Sequence, residues 1–192
     1  MANSTELAGN SVSEANADDL AIRLRRHHDA IASFAAHVRT LSDVETQTPR
    51  APGKWTPAQE TLHLTLSCRA FVCALDTGQQ IALCVSAERS RELYQAIVPR
   101  VLAGGWFPRG GTSPDVAMPE DAIPSTPLAV DELEAASGEF DRAVTSAFAR
   151  DPSVLTTHPY FGPMLLPELV SFLTAHVEHH RSFLPVRGVV GN

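Results

Sequence analysis

Basic residues are scarce in this chain. It has 15 Lys and Arg against 22 Asp and Glu, with no basic run, and a formal charge of -7. That balance argues against the electrostatic track that nucleic acid or an anionic membrane needs, and neither is expected as a partner. Cysteine is rare as well. Cys68, Cys73 and Cys84 are odd in number and form no CxxC pair, which argues against a secreted disulfide framework and for reduced thiols in a cytoplasmic protein. As small apolar residues they suit a core better than a redox role. No stretch approaches the roughly 18 apolar residues of a membrane span, and residues 1–16 lack the positive start and apolar run of a signal peptide. There is no repeat of fixed period, no alternating strand pattern, and no Gly-rich phosphate loop between a strand and a helix. What is present, 192 residues with 44% hydrophobic and 19% charged, fits one globular domain around a single core.

The hydrophobic spacing is helical. Leu20, Leu24, Ile31, Phe34, Val38 and Leu41 recur every three or four positions between Asp18 and Leu41, with His27 on the same stripe. Residues 43–54, with Pro49, Pro52 and Gly53, read as a loop. A second helix starts at Thr56, because Thr56, Pro57 and Gln59 supply an N-cap, a proline at the first helical position and the closing member of a capping box. It should end near Asp76-Thr77-Gly78, where glycine takes the left-handed turn. Residues 79–102 are helical in composition, with Pro99 expected to kink or end the helix. Residues 103–127 carry four glycines and five prolines and form a long irregular segment, either a candidate lid or a surface excursion. Val130 to Phe148 and Pro167 to Leu184 give two more amphipathic helices. Four long helices make an all-α four-helix bundle over residues 17–185, between a flexible tail at 1–16 and a C-terminal tail at 186–192.

Three histidines stand where core residues belong. His176 and His180 share the stripe of Leu169, Leu173 and Leu184, and His63 lies beside Leu62 and Leu66 in the second helix. A spacing of four stacks two imidazoles on one helical face, roughly 5–6 Å apart at Cβ, which suits one metal ion. With His63 from a neighbouring helix, the set becomes three neutral nitrogen ligands with an open position, the pattern of catalytic sites. The competing reading is buried, hydrogen-bonded core histidines, which requires a partner for each ring nitrogen. His179 is rotated away from the pair, and His27 or His28 would serve only as a fourth nitrogen. Near the last helix, His158 and Tyr160 either shape its entrance or line a pocket beside the metal. Glu60 and Glu178 are read as a general base or as solvated surface carboxylates, and no catalytic residue is assigned.

Two stretches carry a family resemblance. Gly53-Lys54-Trp55-Thr56-Pro57-Ala58-Gln59-Glu60-Thr61-Leu62-His63-Leu64 and His176-Val177-Glu178-His179-His180-Arg181 resemble the tryptophan-led helix start and the terminal histidine cluster of the DinB-like superfamily. That superfamily includes YfiT-type metal-dependent hydrolases and thiol transferases. Phe107-Pro108-Arg109-Gly110-Gly111 and His158-Pro159-Tyr160-Phe161-Gly162-Pro163 resemble a branch of it without an assigned function. The resemblance implies a bundle in up-down-down-up order, a divalent metal ion held by His63, His176 and His180, and a homodimer. Where relatives often continue the last motif with Gly-Gln, this chain has Ser182-Phe183-Leu184 after Arg181.

The leading expectation is a metal-dependent enzyme, a hydrolase or a thiol S-transferase, acting on a small molecule, with a low-molecular-weight thiol as cosubstrate in the second case. Zinc or nickel is the expected ion. Trp106, Phe107, Pro108 and Arg109 would close over it, with Arg109 meeting an anionic group. The alternatives are a non-catalytic metal-binding bundle, stress-related or sensing, and a helical interaction domain whose histidines carry no metal.

Overall fold

The computed structural model describes residues 4–104, 107–108, 110–119 and 126–186, with side chains from residue 16 onward. Among the described residues, six helices and one hairpin follow in the order α1 (Ser4–Arg39), α2 (Asp43–Gln47), α3 (Pro57–Thr77), α4 (Ala87–Gly104), a 3-10 turn (Asp115–Ala117), α5 (Thr126–Arg150), β1 (Leu155–His158), β2 (Gly162–Leu165) and α6 (Leu166–Arg181).

The stripe of α1 is its buried face. Leu20, Ile31, Phe34, Val38 and His27 are all nearly inaccessible. The helix nevertheless begins at Ser4 rather than Asp18, so most of the expected flexible tail at 1–16 is helical backbone. The segment has no proline to stop a helix, and Glu6, Leu7, Ala8, Glu14 and Ala15 are good helix formers. Of the expected tail at 186–192, only Val186 lies within the described residues.

Cross-helix contacts fix the directions. Arg23 donates to Ser171 Oγ at 2.6 Å and His37 Nε2 to the Pro185 carbonyl at 2.9 Å, so α1 and α6 run parallel. Arg39 reaches Asp131 and Glu134, whereas His27 meets Phe140, so α1 and α5 are antiparallel. Leu64 shares a core cluster with Val130 and Leu133, and Phe71 lies 6.4 Å from Phe140, so α3 and α5 are parallel. The four main helices α1, α3, α5 and α6 therefore form the expected up-down-down-up bundle.

Helix ends explain where α3 sits. Thr56 Oγ1 accepts from Gln59 N at 3.1 Å, and Gln59 Oε1 accepts from Thr56 N at 3.0 Å, closing the expected capping box. Gly78, at φ 73°, ends the helix. The box Ser42/Glu45 does the same for α2, which forms inside residues 43–54, where the proline content suggested only loop. Helix α4 starts at Ala87 and runs through Pro99 to Gly104 instead of ending there. Gln95, whose carbonyl loses its partner to the proline, is exposed to water, and buried Val98 and Val101 hold the helix to the core.

The hairpin is a further departure. β1 and β2 pair antiparallel with Thr156 opposite Met164 and His158 opposite Gly162. Gly162 combines φ 74° with a Cβ position only 2.9 Å from Ser90 Oγ, so any side chain there is both strained and blocked. Strands of four residues are too short for alternation to show in sequence.

The capping box holds the turn that leads to His63. Thr56→Ala is expected to lower stability by about 1 kcal/mol, read as a reduced urea midpoint. An unchanged midpoint would show that tertiary packing alone fixes this helix start.

Candidate metal centre

His63 lies in the second turn of α3, and His176 and His180 lie in the last turns of α6. The two helices face each other in opposite directions, which brings the three rings together. His176 Nε2 is 3.2 Å from His63 Nε2 and 2.8 Å from His180 Nε2. Among the described residues, these three side chains form the one group of three or more His, Cys, Asp or Glu whose candidate ligand atoms all lie within 4.8 Å of one another.

The outer nitrogens are committed. His63 Nδ1 donates to the Ala117 carbonyl at 2.7 Å, with Ser113 Oγ at 3.3 Å. His180 Nδ1 bonds to Glu60 Oε2 in a short contact. A carbonyl can only accept, so His63 carries its proton on Nδ1 and presents a lone pair at Nε2. Burial lowers the His180 imidazole to about 3, with Arg50 adding to the effect, so the contact with Glu60 is a neutral-ring hydrogen bond rather than an ion pair. Burial first, then His180, holds His63 at about 4, and burial followed by His180 and His63 keeps His176 well below 6.5. Burial also raises the Glu60 carboxyl to about 7, and at neutrality and above its carboxylate accepts the His180 proton.

With both outer nitrogens donating outward, His176 alone can place a proton among three converging Nε2 atoms. At least one lone pair is left without a proton. Three neutral imidazoles, two of them oriented by a carboxylate and a carbonyl, are the donor set that a divalent cation requires. The residues present fit such an ion.

Aromatic rings wall the cluster. Trp55 lies 4.9 Å from His63 and stacks toward His180 at 6.3 Å, while Phe107 stacks on His176 at 5.3 Å and on His179 at 4.8 Å. Arg50 lies over the Phe183 ring, 3.5 Å from its centroid. The irregular segment thus reaches the site through Phe107, Ser113 and Ala117. Trp106 and Arg109, expected in the same cover, lie outside the described residues.

The remaining candidates separate clearly. His179 packs between Phe107 and Phe183, turned from the cluster as its register requires. His27 is buried against Phe140 with neither ring nitrogen hydrogen-bonded, away from the three-histidine group. Glu178 pairs with Arg181 at 2.7 Å. Glu60, read from sequence as a base or a surface carboxylate, is not on the surface, for it is 4% exposed and bonded to His180. Its place three residues before His63, on the same helical face, was the available signal. Nothing in a sequence marks the Ala117 carbonyl.

The profile of the DinB superfamily matches residues 26–184. The chain belongs to the DinB superfamily. Among solved structures it is similar to YfiT from Bacillus subtilis, described as a probable metal-dependent hydrolase with an unusual four-helix bundle topology. The likeness has a TM-score of 0.53 at 14% sequence identity, over 86% of this chain and 83% of that one. No curated protein sequence matches the chain.

The buried imidazoles make the metal-free protein acid-sensitive. His27 is lowered to about 4 and His158 to about 3, both chiefly by burial, alongside His63 at about 4 and His180 at about 3. Below pH 6.5 the unfolded chain takes up protons that these folded rings refuse, so stability falls progressively toward pH 4. Glu60 acts oppositely, since its raised pKa contributes stability below 4.5 that is lost as pH rises through about 7. Asp141, raised to about 6 by burial, acts as Glu60 does, and the four lowered imidazoles outweigh these two carboxyls. The urea midpoint of metal-free protein is expected to drop between about pH 7 and about pH 5. A flat profile would contradict the burial of these rings.

Proposed function

We propose that His63, His176 and His180 hold a divalent metal ion, zinc or nickel, through their Nε2 atoms, and that the protein is a metal-dependent enzyme of the hydrolase or thiol-transferase type. The observation that carries this reading is the convergence of three neutral imidazole nitrogens whose outer partners, Glu60 and the Ala117 carbonyl, turn the lone pairs inward. Membership of the DinB superfamily supports it, as does the fold shared with a protein described as a probable metal-dependent hydrolase.

Three protein ligands leave a coordination position open, the pattern of catalytic rather than structural sites. A divalent ion there supplies Lewis acidity, acidifying a coordinated water or thiol so that a nucleophile is available near neutral pH. Each residue around it has a defined task. Glu60 fixes the tautomer and ring plane of His180, and the Ala117 carbonyl does so for His63. Trp55 and Phe107 exclude water from the ring faces. Glu60 and Glu178 are engaged with His180 and Arg181, so neither is a free general base. A small molecule is the substrate on this reading, with a low-molecular-weight thiol as cosubstrate if the reaction is a transfer.

Metal content by mass spectrometry tests the site. Tag-free protein should carry about one ion per chain, lost in both His63→Ala and His176→Ala, because removing one of three ligands costs most of the affinity. Unmodified protein that takes up no stoichiometric metal, even after reconstitution, would overturn the site. Turnover that survives complete metal removal would overturn the enzymatic reading.

A further inference from the structure

His158 is an imidazole beside the centre that the ligand set leaves unused. It closes β1, and its Nδ1 accepts two backbone N–H groups of the hairpin tip, from Tyr160 at 3.2 Å and Phe161 at 3.4 Å. A ring that accepts at Nδ1 while neutral must carry its proton on Nε2. Burial lowers its pKa to about 3, so this tautomer persists across the working range. The hairpin turn therefore sets a permanent Nε2–H donor. No acceptor for that N–H is found among the described residues, and the residue as a whole keeps partial contact with solvent although its ring is deep enough for burial to lower its pKa.

Its surroundings place the donor next to the histidine cluster. The ring stacks on Phe161 at 4.6 Å and meets the edge of Phe172 at 5.2 Å. Phe172 stands one helical turn before His176, and Phe107 bridges them, 5.2 Å from Phe172 and 5.3 Å from His176. His176 is likewise half-buried, whereas His63 and His180 are buried. His176 and the unpaired donor are thus linked by ring contacts through Phe107 and Phe172, and neither residue is fully buried. A fixed polar group among apolar side chains is how small-molecule sites orient a ligand.

We propose that His158 is a substrate-binding residue whose Nε2–H donates to a carboxylate oxygen of a small substrate, while the other end of that substrate takes the open position on the ion. The assignment rests on the three-histidine metal site. The competing role is purely local: an acceptor for the turn. Asparagine would fill that role equally well, because its side-chain oxygen accepts from the N–H two residues on.

Two substitutions separate the roles. His158→Asn keeps an acceptor at the position of Nδ1 and removes the distal donor, whereas His158→Gln restores an amide N–H near the position of Nε2 and gives up the turn acceptor. Cobalt(II)-loaded protein would be titrated with azide, which needs only the ion, and with acetate, malonate and succinate, which differ in reach, following the visible spectrum. The expected result is that at least one carboxylate binds about 10-fold more weakly to His158→Asn, equivalent to about 1.4 kcal/mol, and that His158→Gln recovers most of the loss. Azide should bind all three proteins within about 2-fold, below the effect of one hydrogen bond. The proposal is overturned if no carboxylate discriminates the Asn variant, if azide and carboxylates weaken together, or if the unmodified protein binds azide but no carboxylate. Failure of the unmodified protein to take up cobalt, seen before any anion is added, would overturn the metal site itself and this assignment with it.

Discussion

Three imidazoles in the gap between α3 and α6 must all stay neutral, and each buried ring nitrogen must still find a partner. This constraint organises the structure around it. Protonating any of the rings would place a cation in a poorly solvated site beside two others, which the low pKa values of His63 and His180 express. Neutral rings carry one proton each, so the outer acceptors decide where the lone pairs point. Glu60 and the Ala117 carbonyl make that choice from opposite sides of the cluster. Glu60 is a buried carboxyl itself, and its hydrogen bond with His180 is what makes its burial tolerable. Donor orientation and burial are one arrangement, since removing either partner leaves the other unpaired.

The bundle's topology supplies those partners. Parallel α3 and α5 cannot be joined by a short turn, so the chain between Thr77 and Thr126 must travel back along the bundle. That return carries α4, Phe107 and the 3-10 turn, and it ends beside the N-terminal half of α3. The Ala117 carbonyl reaches His63 because of it. In an up-down-up-down bundle with short loops, no such segment would be free to lie across a site near the helix ends. The other junction, from α5 to α6, joins antiparallel helices, and the chain there folds into the hairpin that holds His158 and packs Gly162 against Ser90.

What could be read in the residues follows from the range of the interactions. The stripes of α1, α3, α5 and α6 and the Thr56 capping box are local patterns, and the spacing of His176 and His180 is local as well, so each stood in the sequence. The partner of His180 was half legible: Glu60 shares a face with His63, but only the approach of α6 makes it a hydrogen-bond acceptor. Backbone groups carry no residue signature, which is why the Ala117 carbonyl and the N–H groups that receive His158 Nδ1 could not be foreseen. Helix α4 persists through Pro99 because buried neighbours outweigh one lost hydrogen bond, an outcome set by packing rather than propensity. The hairpin fell below the length at which alternation has meaning.

The cluster is not symmetric, and the asymmetry gives it a direction. His63 and His180 are sealed, with both nitrogens of each ring engaged. His176 is half-buried, and its Nδ1 has no hydrogen-bond partner among the described residues. Trp55 packs against the rings of His63 and His180, and Phe107 packs against that of His176. Phe107, Ser113 and Ala117, which meet the cluster, and the hairpin that holds His158 lie on connections rather than on bundle helices. The α3 and α6 frame that fixes the nitrogens can therefore stay constant while those connections change what approaches them, which is the division between rigid scaffold and functional loop that many folds share. On that division the three converging nitrogens belong to the bundle helices, and the residues proposed to meet a substrate belong to the connections.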